Sequence, residues 1–159
     1  VFQGLIEDRF APIITQKAQQ HHCEVVKTLF APDDADLIVQ GVRGLLEAGA
    51  DFIVTTAGMS VDPDDRTPSS IRAAGGVVES YGAPTFPGTM TLIGRIGGAQ
   101  IIGVPACALF FKTTVFDIIL PRMLAGVPIT RLDLAKLGNG GLCMECKVCT
   151  FPKCPFGKV

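Results

Sequence analysis

No run of apolar residues in the chain approaches the roughly 20 needed to cross a bilayer. The longest candidate, 106–120, is broken by Lys112 and Asp117. Basic residues are not gathered anywhere: 14 Lys and Arg stand against 15 Asp and Glu, for a net charge of −1. A protein that neutralises a row of nucleic-acid phosphates needs a basic face. Neither nucleic acid nor a spanning membrane segment is therefore expected. The opening Val1-Phe2-Gln3-Gly4 lacks the basic-then-apolar pattern of a secretory signal, so the expected location is the cytoplasm. Charge is scarce overall, at 18% against 48% hydrophobic residues, a balance that excludes disorder and supplies a buried core.

What the chain does have is cysteine, unevenly placed. Cys23 and Cys107 are isolated, whereas Cys143, Cys146, Cys149 and Cys154 crowd the C-terminus. Thiols this close are poorly placed to staple distant parts of a fold, and in a reducing compartment they read as metal ligands. The two Cys-x2-Cys steps, then a four-residue gap and Cys154-Pro155, resemble a ferredoxin run, whose last gap is normally three residues. Zinc sites usually set two Cys-x2-Cys knuckles apart by a longer loop. An iron–sulfur cluster, zinc, and thiols without metal all stay open. His21-His22-Cys23 looks like a metal trio, but adjacent side chains leave a helix in different directions, which favours a solvated helix end.

The 159 residues fit one domain plus a short appendage. A helix is expected from Pro12 to Gln20. Asp33-Asp34 precede Ile38, Val42, Leu45 and Leu46, which share one helical face, and Gly49 stops that helix. Phe52-Ile53-Val54-Thr55 and Gln100-Ile101-Ile102-Gly103-Val104 read as buried strands, with a short strand at Val77-Val78. Thr67-Pro68 reads as an N-cap and first helical residue. A long apolar helix is expected over 109–124, a weaker one over 133–137, and Phe110, Phe111 and Phe116 are assigned to the core. The expectation is an α/β three-layer sandwich, a mostly parallel sheet flanked by helices, with its site at the carboxyl ends of the strands. Residues 1–137 would form that domain, its first strand reduced to Val1-Phe2, and 138–159 a Cys-rich metal-binding tail.

The segment from Thr55 to Pro68 carries the most chemistry. Small residues at Ala57 and Gly58 let a ligand approach the backbone, and free amides near a helix start suit an anion. Thr55, Thr56 and Ser60 offer hydroxyls to the oxygens of a phosphate or another polar ligand. Asp62, Asp64 and Asp65 offer oxygens to Mg²⁺, which would bridge to phosphate. The alternative is that Asp and Pro only make turns and cap the next helix.

Ala57-Gly58-Met59-Ser60 followed by Asp65-Arg66-Thr67-Pro68 resembles the cofactor loop of the molybdopterin-binding domain of molybdenum-cofactor biosynthesis proteins. Gly4-Leu5-Ile6-Glu7-Asp8 is similar to that family's early Gly-x-x-x-Asp, and Pro32-Asp33-Asp34 to the acidic pair ending its second strand. Pro87-Gly88, the run from Ile102 to Pro105, and the stretch from Phe116 to Gly126 resemble its later loops and closing helix. The resemblance spans roughly residues 4–130. It implies that Thr56, Gly58, Met59, Ser60, Asp62, Pro87 and Gly88 contact molybdopterin or its nucleotide-linked precursor, with molybdate as a further partner. It also implies that Asp65, Asp33, Asp34 and Asp8 surround a metal or the reacting group in a molybdotransferase-type step, and that the domain forms trimers or dimers. Two departures stand out: Ala57 replaces a glycine, and Pro105-Ala106-Cys107-Ala108 stands where many members have Pro-Gly-Asn-Pro. A non-catalytic redox or cofactor-sensing module is one alternative. A nucleotide pyrophosphatase-like enzyme, as in the competence-damage family of the same fold, is the other.

Overall fold

The computed structural model describes residues 8–59 and 65–158. The glycine-stopped periodicity around Val42 forms helix α2 (Ala35–Glu47), which follows α1 (Phe10–Gln20). Asp34 caps α2 by accepting the Leu37 N–H at 3.0 Å. A short turn through Gly49 then reverses the chain into β1 (Phe52–Thr56). Helix α3 (Thr67–Ala73) follows, then β2 (Val77–Tyr81), β3 (Leu92–Ile96) and β4 (Ala99–Val104). Helices α4 (Val115–Leu124) and α5 (Arg131–Lys136) close the body.

The four strands stand in the order β1-β4-β3-β2. Only β1 and β4 run parallel; β4 with β3 and β3 with β2 are antiparallel. The described sheet is therefore mixed rather than mostly parallel. The cause is local: β3 and β4 are joined across Gly97-Gly98 with Ile96 opposite Ala99, a two-residue hairpin that can only return antiparallel. Sequence periodicity alone does not find β3, although Gly-Gly between two apolar runs is a hairpin signal.

Successive side chains on a strand point to opposite faces, and the two faces bury separate clusters. Ile53, Leu92, Ile96 and Ile101 pack with Val42 of α2 and Ile71 of α3. Ile93, Ile102 and Val104 pack with Phe116, Ile119 and Met123 of α4, with Phe10 and Ile14 of α1 alongside. This gives three layers, helix–sheet–helix, and each fully buried aliphatic or aromatic side chain contributes about 1.5–3 kcal/mol.

Several expectations shift. The long helix over 109–124 is instead a 3-10 turn (Ala106–Leu109), an irregular stretch, and α4. It is divided because Thr114 and Asp117 form a capping box that starts α4 afresh. Phe116 is buried, but Phe110 is 75% exposed, because it falls in that irregular stretch. The second strand implied before Pro32 is not formed, and Val25, Val26, Leu29 and Phe30 are all exposed. The expected first strand at Val1-Phe2 lies outside the described residues. Among the described residues no helix is long and apolar enough to cross a membrane.

Candidate functional site

Thr56 lies opposite Val104 at the carboxyl ends of the parallel pair. From there the chain leaves β1 into Ala57-Gly58-Met59 and β4 into Pro105-Ala106-Cys107, so two loops emerge side by side. One residue earlier, Thr55, Gly103, Leu92 and Tyr81 stand opposite one another in succession across all four strands. Directly opposed residues share a face, here the face covered by α2 and α3. Gly103 leaves a gap in that row, and the Met59 side chain fills it: a Cβ at 103 would overlap Met59 Sδ and stand 2.9 Å from Leu92 Cβ. Met59 is only 4% exposed, with the Thr55 hydroxyl 3.8 Å from its sulfur.

The loop itself is clasped by the helix that follows it. Ala57 and Gly58 are both left-handed, with φ of 65° and 57°. For Ala57 this conformation costs about 1 kcal/mol and persists only where surrounding structure fixes it. Thr67 does so. Its hydroxyl donates to the Ala57 carbonyl at 3.2 Å and its N–H to the Gly58 carbonyl at 3.3 Å. The expected N-cap is thus the first residue of α3, and its side chain holds the loop instead of capping the helix. A Cβ on Gly58 would stand 2.7 Å from that same hydroxyl oxygen, which explains the glycine.

A third loop joins these two. Phe86–Pro87 is a cis peptide, and Gly88 follows at φ 118°. The Pro87 carbonyl accepts the Val115 N–H at 3.0 Å, and the Gly88 carbonyl accepts both the N–H and the hydroxyl of Thr91, at 3.0 and 2.7 Å. A Gly88 Cβ would meet Val115 backbone nitrogen at 2.8 Å, so this loop abuts the start of α4. Cys107 is half-buried beside it. Burial pushes its thiol above the ordinary value, against opposing backbone hydrogen bonds from Cys107, Ala108 and Gly88. On the other side, partial burial raises the Tyr81 phenol, and the Asp65 carboxylate raises it further, so Asp65 faces Tyr81 electrostatically.

A family described as "Probable molybdopterin binding domain" matches residues 1–125. The chain belongs to that family. Among curated proteins no sequence relative matches. The molybdopterin biosynthesis enzyme MoaB of Thermus thermophilus is similar at 20% identity and TM-score 0.61, covering 79% of this chain and 86% of its own. The molybdopterin biosynthesis Mog protein of Mycobacterium ulcerans gives 18% and 0.60, covering 79% and 91%. The tungsten cofactor synthesizing protein MoaB of Pyrococcus furiosus gives 19% and 0.57, covering 79% and 88%. At these identities the likeness is one of fold.

Against this molybdopterin-binding-domain fold, the residues singled out by sequence fall into distinct groups. Thr56, Gly58 and Asp65 belong to one loop with its flanks, and Pro87 and Gly88 to the loop beside Cys107. Met59 enters the core under the first loop. Ser60 and Asp62, with Asp64, lie outside the described residues, as does the early glycine motif before Asp8. Asp8 itself caps α1, its two oxygens accepting the N–H groups of Phe10 and Ala11 at 3.0 and 2.9 Å. Asp33 and Asp34 are exposed at the start of α2.

No group of three or more His, Cys, Asp or Glu among the described residues is disposed to hold a metal ion. Of Asp62, Asp64 and Asp65, expected to hold Mg²⁺, only Asp65 is among the described residues, while Asp8 and Asp34 are engaged as helix caps. Nor do Cys143, Cys146, Cys149 and Cys154 stand as a ready ligand set. Different parts of the body hold them: the Cys143 N–H donates to the Phe86 carbonyl at 2.8 Å, while Cys149 Sγ lies 3.4 Å from Thr113 Oγ1.

Sequence reasoning passed over Tyr81, although it is the chain's one tyrosine. It also missed a cleft of about 880 Å³ between α1, the stretch after Leu109, α4 and the C-terminal segment. Lys17 crosses this cleft to pair with Asp117 and donates to the Lys112 carbonyl at 2.8 Å.

Proposed function

We propose that this domain binds molybdopterin or its nucleotide-linked precursor at the carboxyl ends of β1 and β4, in the assembly, insertion or delivery of molybdenum cofactor. The observation that carries the reading is the convergence of three backbone-rich loops there: Ala57-Gly58, Pro87-Gly88 and Pro105-Cys107. Open α/β folds bind ligands in such a crevice, outside the strand ends. Family membership supports the class of ligand. Thr56 and the backbone around Gly58 and Gly88 would contact the pterin and its phosphate, with Ser60 and Asp62 completing the loop. Met59 would shape that loop from beneath.

Asp65 is the carboxylate proposed to face the reacting group, for it follows the loop directly and its field reaches Tyr81. Asp33, at the exposed start of α2, is the second carboxylate in this reading. Self-association as a dimer or trimer is carried over from the resemblance; four exposed apolar side chains between Val25 and Phe30 offer a surface for it, and light scattering measures it.

Anaerobic titration with molybdopterin tests the reading directly. Saturable binding is expected, together with molybdate-dependent turnover that falls in Asp65→Asn while binding and the unfolding midpoint hold. Unchanged turnover in that variant removes Asp65 from the chemistry. Failure to bind the pterin, with hydrolysis of a nucleotide pyrophosphate instead, would replace the proposal with the pyrophosphatase reading.

A further inference from the structure

The pterin reading leaves the C-terminal loop unused. Four thiols lie within residues 143–154, and all are free. The loop is fastened at both ends. At its start Leu142 forms a parallel bridge to Phe86, and the Cys143 N–H donates to the Phe86 carbonyl at 2.8 Å. At its end Phe156 is buried, its ring 6.4 Å from that of Phe151, and the Gly157 N–H donates to the Gly140 carbonyl at 2.9 Å.

Between these anchors almost nothing apolar holds it. Residues 143–150 contain no helix or strand, and Met144 and Val148 are 71% and 75% exposed. A short segment without a core is ordered by a cross-link, and a bound metal is one such link.

We propose that Cys143, Cys146, Cys149 and Cys154 are the ligands of a tetrathiolate centre, taking a thiophilic metal as zinc or as an iron–sulfur cluster. Thiolates at this spacing are soft ligands, and the successive two-residue gaps fit a cluster as readily as a single ion. An outer shell is already in place for one ligand: Cys149 Sγ meets the Thr113 hydroxyl at 3.4 Å, and such groups orient a metal-bound thiolate. Lys112 precedes that threonine, and Lys147 and Lys153 lie within the loop, so cations offset the charge of four thiolates.

Cys143 and Cys154 lie near the anchors and are half-buried, whereas Cys146 and Cys149 are exposed. The anchors hold Cys143 and Cys154 and Thr113 holds Cys149, so closure moves Cys146, with each thiol giving up its proton to become a ligand. The bridge at Phe86 places the centre beside the Pro87-Gly88 loop. The proposal stands independently of pterin binding.

The full chain, purified without oxygen, is analysed for metal and sulfide and its visible spectrum recorded. About one zinc per chain in a colourless protein, or about four irons with matching sulfide and visible absorption, is expected; the first identifies a structural clip, the second a redox-capable cluster. Cys146→Ser and Cys149→Ser should each lower bound metal by roughly tenfold or more, and Cys23→Ser should not. Thermal unfolding of the same samples shows whether the body remains folded. Three results overturn the proposal: wild-type protein that takes up neither zinc nor iron with sulfide on reconstitution, metal retained in the Cys146→Ser/Cys149→Ser double variant, or a Cys146–Cys149 disulfide in protein kept anaerobic throughout.

Discussion

Replacing Met59 with Ala should loosen the carboxyl end of the sheet, because the lost atoms are the ones that fill the space over Gly103. The change removes Cγ, Sδ and Cε from a side chain that is 4% exposed. At about 0.8 kcal/mol for each methylene-sized group, transfer alone accounts for roughly 2.4 kcal/mol. A residual cavity raises the cost of core Met→Ala changes to about 2–5 kcal/mol. Met59 lies at the loop-facing edge of its cluster, where the walls can relax, so about 3 kcal/mol is expected. For a chain of this size that lowers Tm by about 6–12 °C. Gly103→Ala alone should also destabilise, by about 1–3 kcal/mol, since its new methyl would overlap Met59 Sδ. In the double variant the methyl enters the vacated space, and the 2.9 Å approach to Leu92 Cβ is the conflict that remains. The two changes should therefore be non-additive, with about 1 kcal/mol of compensation. Urea unfolding of the four proteins measures the cycle. Strict additivity, or a wild-type midpoint in Met59→Ala, would refute the packing described here and return Met59 to the ligand surface.

The remaining expectations concern the helix caps, the tail and the thiols. Phe156→Ala should cost about 3 kcal/mol and free the tail, seen as faster proteolysis within 144–150; an unchanged digestion rate would mean that this ring does not anchor the loop. The Asp133 carboxyl is held below its ordinary value chiefly by the Thr130 side-chain hydrogen bond, then by the Thr130 backbone and Arg122. Its contribution to α5 is therefore present above the ordinary carboxylate range and lost as pH falls through the lowered value. An NMR titration midpoint at or above the ordinary value would contradict this. In chelator-treated protein, Cys149 should alkylate faster than Cys107 at neutral pH. Its thiol is lowered first by the Thr113 hydroxyl, whereas burial raises that of Cys107. Thr113→Val should narrow the difference, as read by mass spectrometry of labelled peptides; equal rates in the wild type would count against both assignments.

Elements whose pattern is local are legible in the chain. The spacing of Val42, Leu45 and Leu46 and the stop at Gly49 define α2, and the β-branched runs before Ala57 and Pro105 define β1 and β4. Where two local signals compete, reading fails. The apolar run after Leu109 looks like one helix because periodicity does not register the new start imposed by Thr114 and Asp117. β3 hides because Gly94 and Arg95 interrupt its apolar alternation, and its identity depends on pairing across the Gly97-Gly98 turn.

For the site, the order of small and acidic residues after β1 resembles the family's cofactor loop, and the structure sets the start of that loop at the carboxyl end of β1. Sequence spacing could not show that Met59 turns inward, since that follows from Gly103, 44 positions along the chain, leaving the space. Nor could it place Asp65 near Tyr81, or Phe86 against Leu142, because such neighbours are set by strand register and loop packing. The sequence by itself determined the elements with an uninterrupted local pattern, α2, β1 and β4, and the family, because these reside in residue type and short-range spacing. Tertiary structure alone decided which side chains share a face, which carboxylates serve as caps and where the cysteine loop is fastened, because those outcomes depend on contacts between residues distant in the chain.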